Sequence, residues 1–325
     1  MDIIRESGPG GARVVALGTF DGVHRAHQTL IREARSLSDG LGAKLRVCTF
    51  DRHPLEVLRP EAAPGRLQTE REQAEAVAAL GADELRIIPF TRETAETEPE
   101  DFLRRLSAEC GLRGVVVGWN YTFGRGGRGT PETLRKAGEE QGFQVRVIDP
   151  VRTESGEVIS SSAVREKLRR GDAAGAAEML GYPYTLSGTV VNGKHQGTRI
   201  GFPTANIETE EKKLLPAYGV YLCLLSSGDQ CWPGLVNIGL QPTLPSGRVT
   251  VEAHALEGSP ELYGRQASVR LLRYLRAEKR FETADALSGQ IRRDQETARD
   301  FFQKDFSSGG FLAGKPAGMP MNQGN

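Results

Sequence analysis

Short apolar, β-branched runs alternate with segments of helical periodicity over residues 12–150 of this chain. The apolar runs predict strands at residues 13–17, 44–50, 85–90, 114–118 and 144–148. The periodic segments between them predict helices at residues 28–37, 70–80, 100–110 and 131–140. The strands lack alternating polar positions, as expected when helices cover both faces of a parallel sheet. The pattern therefore predicts a doubly wound α/β domain with its site at the carboxyl ends of the strands.

The pattern changes after residue 183, where strand-like runs are separated by turn signals. These runs fall at residues 184–191, 219–225, 231–238, 248–256 and 267–275. They predict a small closed β-barrel, expected to have six strands, followed by an amphipathic helix over 283–303. Two short helices are predicted within 158–181. The resulting domains are residues 1–182 and 183–306, and we expect the glycine- and proline-rich tail, 307–325, to be disordered.

Composition narrows the class of protein. The chain has 325 residues, 38% of them hydrophobic and 26% charged, which suits a soluble protein of two domains. Basic and acidic residues both number 42, so we expect no nucleic-acid partner and no membrane partner. The four cysteines lack metal spacing, and no segment resembles a signal peptide or a membrane span. A cytoplasmic location is the expectation.

A glycine-rich segment precedes the string Pro203-Thr204-Ala205-Asn206. Its glycines Gly193, Gly197 and Gly201 let backbone amides approach an anion, which favours a phosphate-covering loop. The Thr204 hydroxyl and the Asn206 carbonyl are hard oxygen ligands of the kind that Mg²⁺ accepts beside nucleotide phosphates. The segment suggests a kinase-type site, with a simple turn between two barrel strands as the alternative.

Two further segments suggest phosphate binding in the first domain. Residues 18–27 follow the first predicted strand and enter the first predicted helix, where unpaired amides favour an anion. His24 and His27 lie three residues apart there, although a surface histidine pair is the simpler explanation. Ser161, Ser162 and Arg165 place hydroxyls and a guanidinium at another helix start, with an ordinary serine cap as the alternative.

In their order along the chain, these segments resemble the motifs of the bacterial bifunctional riboflavin kinase/FMN adenylyltransferase family, also called FAD synthetases. In the first half the similar segments are residues 18–27, 49–54, 117–124 and 159–165. In the second half they are residues 181–184, 203–206, 215–221, 237–239, 251–252, 262–264 and 275–281. The resemblance runs from about residue 12 to residue 303.

For the first domain, the resemblance implies a nucleotidyltransferase that joins FMN to the AMP portion of ATP. It implies that His24 and His27 stabilise charge on the α-phosphate, and that Ser161, Ser162 and Arg165 hold the leaving phosphates. The resemblance implies further nucleotide-binding positions at Gly18, Phe20, Asp21, Gly22 and Asn120. Phe123 would line the flavin pocket, with a core phenylalanine as the alternative.

For the second domain, the resemblance implies transfer of the ATP γ-phosphate to riboflavin. The resemblance implies that Glu252 is the base. It lies on the polar side of an alternating strand, where a solvated surface carboxylate is the alternative. Thr204 and Asn206 would hold Mg²⁺, and Gly193, Gly197 and Gly201 would bind the nucleotide. Arg276 would lie near the flavin, with a salt bridge as the alternative.

Three residues depart from the pattern of the resembled family. Ala26 replaces a usual glycine, Arg52 a usual proline and Trp119 a common acidic residue. They motivate an alternative hypothesis, a riboflavin kinase with a weak adenylyltransferase domain. A non-catalytic flavin- or nucleotide-binding regulator is the third hypothesis. The sequence does not predict the oligomeric state.

Overall fold

The computed structural model describes residues 1–6, 10–193, 201–240, 249–258 and 260–307. By its contacts the chain divides into two compact units, Met1–Ser161 and a second unit that begins at Ser162. The short helices after Ser161 therefore group with the second unit. The predicted boundary at residue 182 stays a prediction, and residues 308–325 of the predicted tail lie outside the described ranges.

The first unit contains a sheet of parallel strands, as the apolar runs predict. Its strands are β1 (Asp2–Ile4), β2 (Ala12–Leu17), β3 (Lys44–Phe50), β4 (Glu84–Ile88), β5 (Gly111–Gly118) and β6 (Gln144–Ile148). Their order across the sheet is β1-β4-β3-β2-β5-β6. The edge strand β1 was not predicted, because it is short and largely exposed and so lacks the apolar run of a buried strand.

Helices cover both faces of this sheet, so the doubly wound prediction is confirmed. The helices of this unit are α1 (Arg25–Gly40), α2 (Leu55–Leu58), α3 (Glu70–Ala79), α4 (Arg92–Glu96), α5 (Pro99–Glu109) and α6 (Pro131–Gln141). Helices α1 and α3 pack on one face, and α5 and α6 pack on the other. The strand order reverses between β2 and β5, and ligands of such sheets bind at the carboxyl side of this reversal.

A buried ion cluster joins three strands of the sheet. The Glu84 carboxylate accepts hydrogen bonds from Arg13 Nε at 2.9 Å, from Arg13 Nη2 at 2.7 Å and from Arg46 Nε at 2.7 Å. Burial alone would raise the pKa of Glu84, but these bonds and charges hold that pKa below its ordinary value. All three residues are buried, and Arg46 Nη1 and Nη2 have no hydrogen-bond partner among the described residues.

The second unit is built on a closed antiparallel barrel, which confirms the predicted six-stranded architecture. Helices α7 (Ser161–Arg169) and α8 (Ala173–Leu180) precede it. The strands are β7 (Thr185–Val191), β8 (Ala205–Thr209), β9 (Gly219–Ser227), β10 (Gln230–Leu240), β11 (Val249–Ala255) and β12 (Gln266–Arg276). Their order is β10-β11-β8-β7-β12-β9. Strand β8 was not predicted, because its sequence was assigned to the loop around Thr204.

The predicted C-terminal helix is present as α9 (Ala284–Ser307). Its buried residues Ala298 and Phe302 pack against an apolar cluster of β9 and β10 that includes Leu222 and Leu235. Asp294 lies on the same helix and is buried. One side of the β9–β10 hairpin is therefore covered by α9, while alternate residues such as Val236 are also buried and line the barrel interior.

Candidate active sites

The turn between β2 and α1 has an unusual backbone conformation. Phe20 has φ 47°, Gly22 has φ 87° and Val23 has φ 30°, all in the left-handed region. Phenylalanine and valine rarely adopt such angles, and each costs on the order of 1–3 kcal/mol. The turn leads directly to His24, which caps α1 by accepting the His27 N–H at Nδ1 over 3.3 Å. The surrounding fold thus holds a strained turn at the start of the helix that carries both histidines.

The two histidine rings of the turn stack on each other, with centroids 3.6 Å apart and planes 14° apart. Burial lowers the pKa of His27 well below its ordinary value, and a charge on His24 would lower that pKa further. His27 Nδ1 is buried and has no hydrogen-bond partner among the described residues. In the free protein His27 is therefore neutral at physiological pH and can act as a hydrogen-bond donor or acceptor.

The lowered pKa of His27 predicts a pH dependence of stability. The unfolded chain binds a proton at His27 near pH 6.5, whereas the folded chain does not, so stability falls as the pH drops below that value. The loss approaches about 1.4 kcal/mol per pH unit until the folded pKa is reached. The free energy of unfolding in urea is measured at pH 7 and at pH 5.5. We expect His27→Gln to reduce the difference between these two values. An unchanged difference would contradict the assignment.

Several predicted nucleotide-binding side chains in this turn have structural partners. The Asp21 carboxylate accepts the backbone N–H groups of Leu67 at 2.9 Å and Gln68 at 3.2 Å. Its carbonyl accepts the Ser161 hydroxyl at 2.8 Å. Phe20 is fully buried, with its ring edge against His27 at a centroid distance of 5.1 Å. Direct contact of this segment with a nucleotide would therefore use the backbone of the turn.

The segment that follows β5 carries exposed side chains and one buried ring. Trp119 is 50% exposed and Asn120 is exposed, so both are open to a ligand at the carboxyl edge of the sheet. Phe123 is buried and packs against Phe102 and Tyr121 at centroid distances of 5.5 and 5.9 Å. This placement supports the core alternative for Phe123, and flavin binding by its ring stays a prediction.

The predicted phosphate ligands near residue 161 are divided between the two units. Ser161 is the last residue of the first unit, and its hydroxyl is engaged by Asp21 as described. Ser162 is exposed and Arg165 is buried, both on α7 in the second unit. Their predicted role in holding pyrophosphate stays a prediction.

In the barrel, Glu252 lies in register with two amide side chains on neighbouring strands. It pairs with Asn206 of β8 on one side and with Asn237 of β10 on the other. Paired residues of an antiparallel sheet point to the same face. Val251 and Ala253 are buried while Glu252 is half-buried, which matches the predicted alternation. A carboxylate and two amides therefore share the outer face of three adjacent strands.

We call Asn206, Glu252 and Asn237 the Glu252 row. The glycines that are predicted to bind the nucleotide lie near Asn206 in the sequence. Gly193 lies so close to Asn206 that an added Cβ would collide with the amide of that side chain. Gly201 has φ 85°, which favours glycine, and Gly197 lies outside the described residues. A further glycine, Gly188, lies inside β7, where an added Cβ would collide with the Glu208 carbonyl. Its role is close strand packing rather than phosphate binding.

The donor atoms of Thr204 and Asn206 fit a hard divalent cation. Both side chains are half-buried and carry oxygen atoms of the kind that Mg²⁺ prefers. Within the described ranges, no three histidine, cysteine, aspartate or glutamate side chains gather as a metal site. Such a cation would be held by neutral protein oxygens together with the phosphates of the nucleotide.

Arg276 forms a salt bridge with α9. Its Nε and Nη2 approach Asp294 Oδ2 at 2.9 and 2.7 Å, and Gln290 Nε2 donates to Asp294 Oδ1 at 2.9 Å. The salt-bridge alternative is thus present in the structure, and a flavin contact of Arg276 stays a prediction. The salt bridge joins the end of β12 to α9. The loop at residues 277–283 connects these two elements.

Sequence reasoning did not select three polar residues around the Glu252 row. Asn237 pairs directly with Glu252, and its Nδ2 lies 3.5 Å from Glu278 Oε1. His254 follows Glu252 on the same face of β11. The alternation of β11 indicates the position of His254, but its partners become visible only in the folded barrel.

Comparisons with known proteins agree with two successive functional units in this chain. The FAD synthetase family model matches residues 10–163, and the riboflavin kinase family model matches residues 180–302. Two curated relatives are named bifunctional riboflavin kinase/FMN adenylyltransferase. The protein from Escherichia coli strain K12 is 37% identical over 291 residues, 89% of this chain and 92% of the relative. The protein from Listeria monocytogenes is 34% identical over 294 residues, 90% of this chain and 93% of the relative.

A crystal structure named a macrolide-efflux protein from Streptococcus pneumoniae has the same fold, with a TM-score of 0.83 and 27% identity. The match covers 91% of this chain and 98% of the chain in that crystal structure. In the described parts of this chain, no helix has the length and apolar character needed to cross a membrane. Two family models in tandem and full-length relatives above 30% identity place this chain in the bifunctional riboflavin kinase/FMN adenylyltransferase family.

Proposed function

We propose that the barrel phosphorylates riboflavin with Glu252 as the base, and that the α/β unit adenylylates FMN with His24 and His27 at its reacting phosphate. The chain is a bifunctional enzyme of flavin cofactor synthesis. The observation that carries the residue assignment is the cross-strand pairing of Glu252 with Asn206. This pairing supports a base and a metal-binding oxygen on one face of the barrel.

In the kinase reaction, Glu252 accepts the proton of the terminal ribityl hydroxyl as that oxygen attacks the γ-phosphorus of ATP. The bond from γ-phosphorus to the bridging oxygen breaks, and ADP leaves. Thr204 and Asn206 would hold Mg²⁺, which would neutralise charge on the phosphate oxygens. The amide of Asn237 lies next to Glu252 in register, and the Thr250 hydroxyl lies 3.4 Å from Glu252 Oε1.

In the adenylyl transfer, the FMN phosphate itself is the nucleophile, so the protein needs to orient and stabilise rather than to bond covalently. One oxygen of FMN attacks the α-phosphorus of ATP, and pyrophosphate leaves. The imidazoles of His24 and His27 donate hydrogen bonds to the reacting phosphate. Ser162 and Arg165 hold the departing phosphates, and Asn120 contacts the nucleotide.

Riboflavin, FMN and ATP are the proposed small-molecule partners, and Mg²⁺ is the proposed metal. All four cysteines are free, as expected for a protein of the reducing cytoplasm, where we propose that it works. The experiment that tests the two activities is incubation of the purified chain with riboflavin, ATP and Mg²⁺, followed by chromatography of the flavins. FMN and then FAD are the expected products.

The alternatives give different products in that experiment. FMN without FAD would support a kinase with a weak adenylyltransferase unit, and neither product would support a non-catalytic regulator. Ala26 motivated the first alternative, yet it lies in the first turn of the regular helix α1, which requires no glycine conformation. Ala26→Gly tests whether its methyl group slows FAD formation.

We expect His27→Ala to lower the rate of FAD formation from supplied FMN by about 10²-fold, because a positioned donor to the developing charge is lost. FMN formation from riboflavin should not change. The control is Arg32→Ala, which alters an exposed side chain of the same helix. Both rates are followed by chromatography in the full-length protein. A matching loss of FMN formation would contradict the separation of the two sites.

A further inference from the structure

His254 is held through both of its ring nitrogens. Nδ1 lies 2.8 Å from the carbonyl oxygen of Pro203, and Nε2 lies 2.7 Å from Gln295 Nε2 on α9. A carbonyl can only accept a hydrogen bond, so Nδ1 carries the hydrogen and Nε2 accepts from the Gln295 amide. The two partners together favour the tautomer that carries its hydrogen on Nδ1.

The position of His254 extends the pairing of two strands. The ladder between β8 and β11 pairs Asn206 with Glu252 and Ala205 with Ala253, where it ends. Continued by one residue, this register would place Thr204 opposite His254. In place of a further backbone pair, the His254 ring binds the carbonyl of Pro203, the residue before Thr204.

The ring also has an aromatic neighbour in the same segment. Phe202 is buried, and its ring meets His254 edge to face at a centroid distance of 6.0 Å and an angle of 76°. His254 therefore touches the segment before Thr204 through a carbonyl and through a ring. This contact fixes the segment relative to β11, the strand that carries Glu252.

We propose that His254 is a positioning residue of the kinase site, which holds Thr204 in place relative to Glu252 through the Pro203 carbonyl. Gln295 contributes by fixing the tautomer that donates to this carbonyl. The inference rests on the proposed function, because it takes Thr204 as a metal ligand and Glu252 as the base. A misplacement on the order of 1 Å in such a site lowers rates by as much as 10²-fold.

Two amide substitutions separate positioning from simple packing. The side-chain nitrogen of asparagine can occupy the place of Nδ1 and donate to Pro203, whereas the longer glutamine side chain reaches the place of Nε2 instead. We therefore compare His254→Asn with His254→Gln in the full-length protein. The measured quantity is the Mg²⁺ concentration that gives half-maximal FMN formation at saturating riboflavin and ATP.

For His254→Asn we expect a Mg²⁺ requirement within about threefold of the unmodified protein, because the bond to Pro203 is kept. For His254→Gln we expect a rise of about tenfold, with a lower kcat, because that bond is lost. Gln295→Met should fall between them, since Pro203 keeps its donor. Thermal unfolding of each variant shows whether the fold is retained, and conversion of supplied FMN to FAD should be unchanged.

Equal Mg²⁺ requirements for the asparagine and glutamine variants would overturn the inference, even if both lost activity. If His254→Gln does not fold, the comparison uses Gln295→Met and His254→Asn. A larger rise in the Mg²⁺ requirement for His254→Asn than for Gln295→Met would then overturn the inference. Glu252→Gln is measured beside them. Retained FMN formation in that variant would instead show that the proposed kinase site is wrong.

Discussion

Glu252→Gln is expected to lower FMN formation from riboflavin by about 10²–10⁴-fold, the range for loss of a general base. The amide keeps the shape of the side chain but cannot accept the hydroxyl proton. Conversion of supplied FMN to FAD should continue at its original rate, because that reaction is assigned to the other unit. Both rates are measured by chromatography of the flavins from one protein preparation.

The control for this prediction is Glu257→Gln, which removes an exposed carboxylate just beyond the end of β11. It should leave both rates unchanged. An equal fall of FMN formation and FAD formation in the Glu252 variant would show that the assignment of the two sites is wrong.

Glu84→Ala is expected to destabilise the α/β unit by about 3–5 kcal/mol, the cost of breaking a buried ion pair. The substitution leaves the buried guanidinium groups of Arg13 and Arg46 without their shared carboxylate. Two terminal nitrogens of Arg46 already lack a partner within the described part of the chain, so the remaining cluster offers no replacement. The expected result is a lower urea midpoint for the loss of adenylyltransferase activity and of helical signal.

Glu75→Ala is the matched control, because the Arg71–Glu75 pair lies on the surface of α3 in the same unit. Exposed pairs of this kind contribute about 0–1 kcal/mol. If the two variants shift the urea midpoint by the same amount, the buried cluster is not a major source of stability.

The sequence predicted the elements that have a clear apolar pattern, because that pattern depends on local spacing alone. Strands β3 and β6 have the predicted bounds, and α3 and α6 differ from prediction by a single residue at one end. Strand β8 was missed, because Pro203-Thr204-Ala205-Asn206 has turn chemistry and Ile207 is the one buried residue of the strand. Its pairing with two barrel strands, a tertiary interaction, makes this segment a strand.

A site residue was predictable where a local pattern shows on which face of its strand the side chain lies. The alternation of β11 does this for Glu252. Long-range partners were not predictable from spacing. Asp21 was assigned to a nucleotide, but its carboxylate binds backbone amides 46 and 47 residues away. The partner of Arg276 lies 18 residues along the chain on another element, and that of His254 lies 41 residues along on α9.

The two sheets of this enzyme differ in how they meet neighbouring molecules in a crowded solution. Because the barrel is closed, it has no unpaired edge strand to which another chain could add a strand. The parallel sheet ends in β1 and β6, and self-association by backbone pairing would begin at one of them. The edge strand β1 is only three residues long. In the other edge strand, β6, the central residue Arg146 carries a positive charge and pairs with Glu33. Replacing Arg146 by an apolar residue would remove this protection against aggregation.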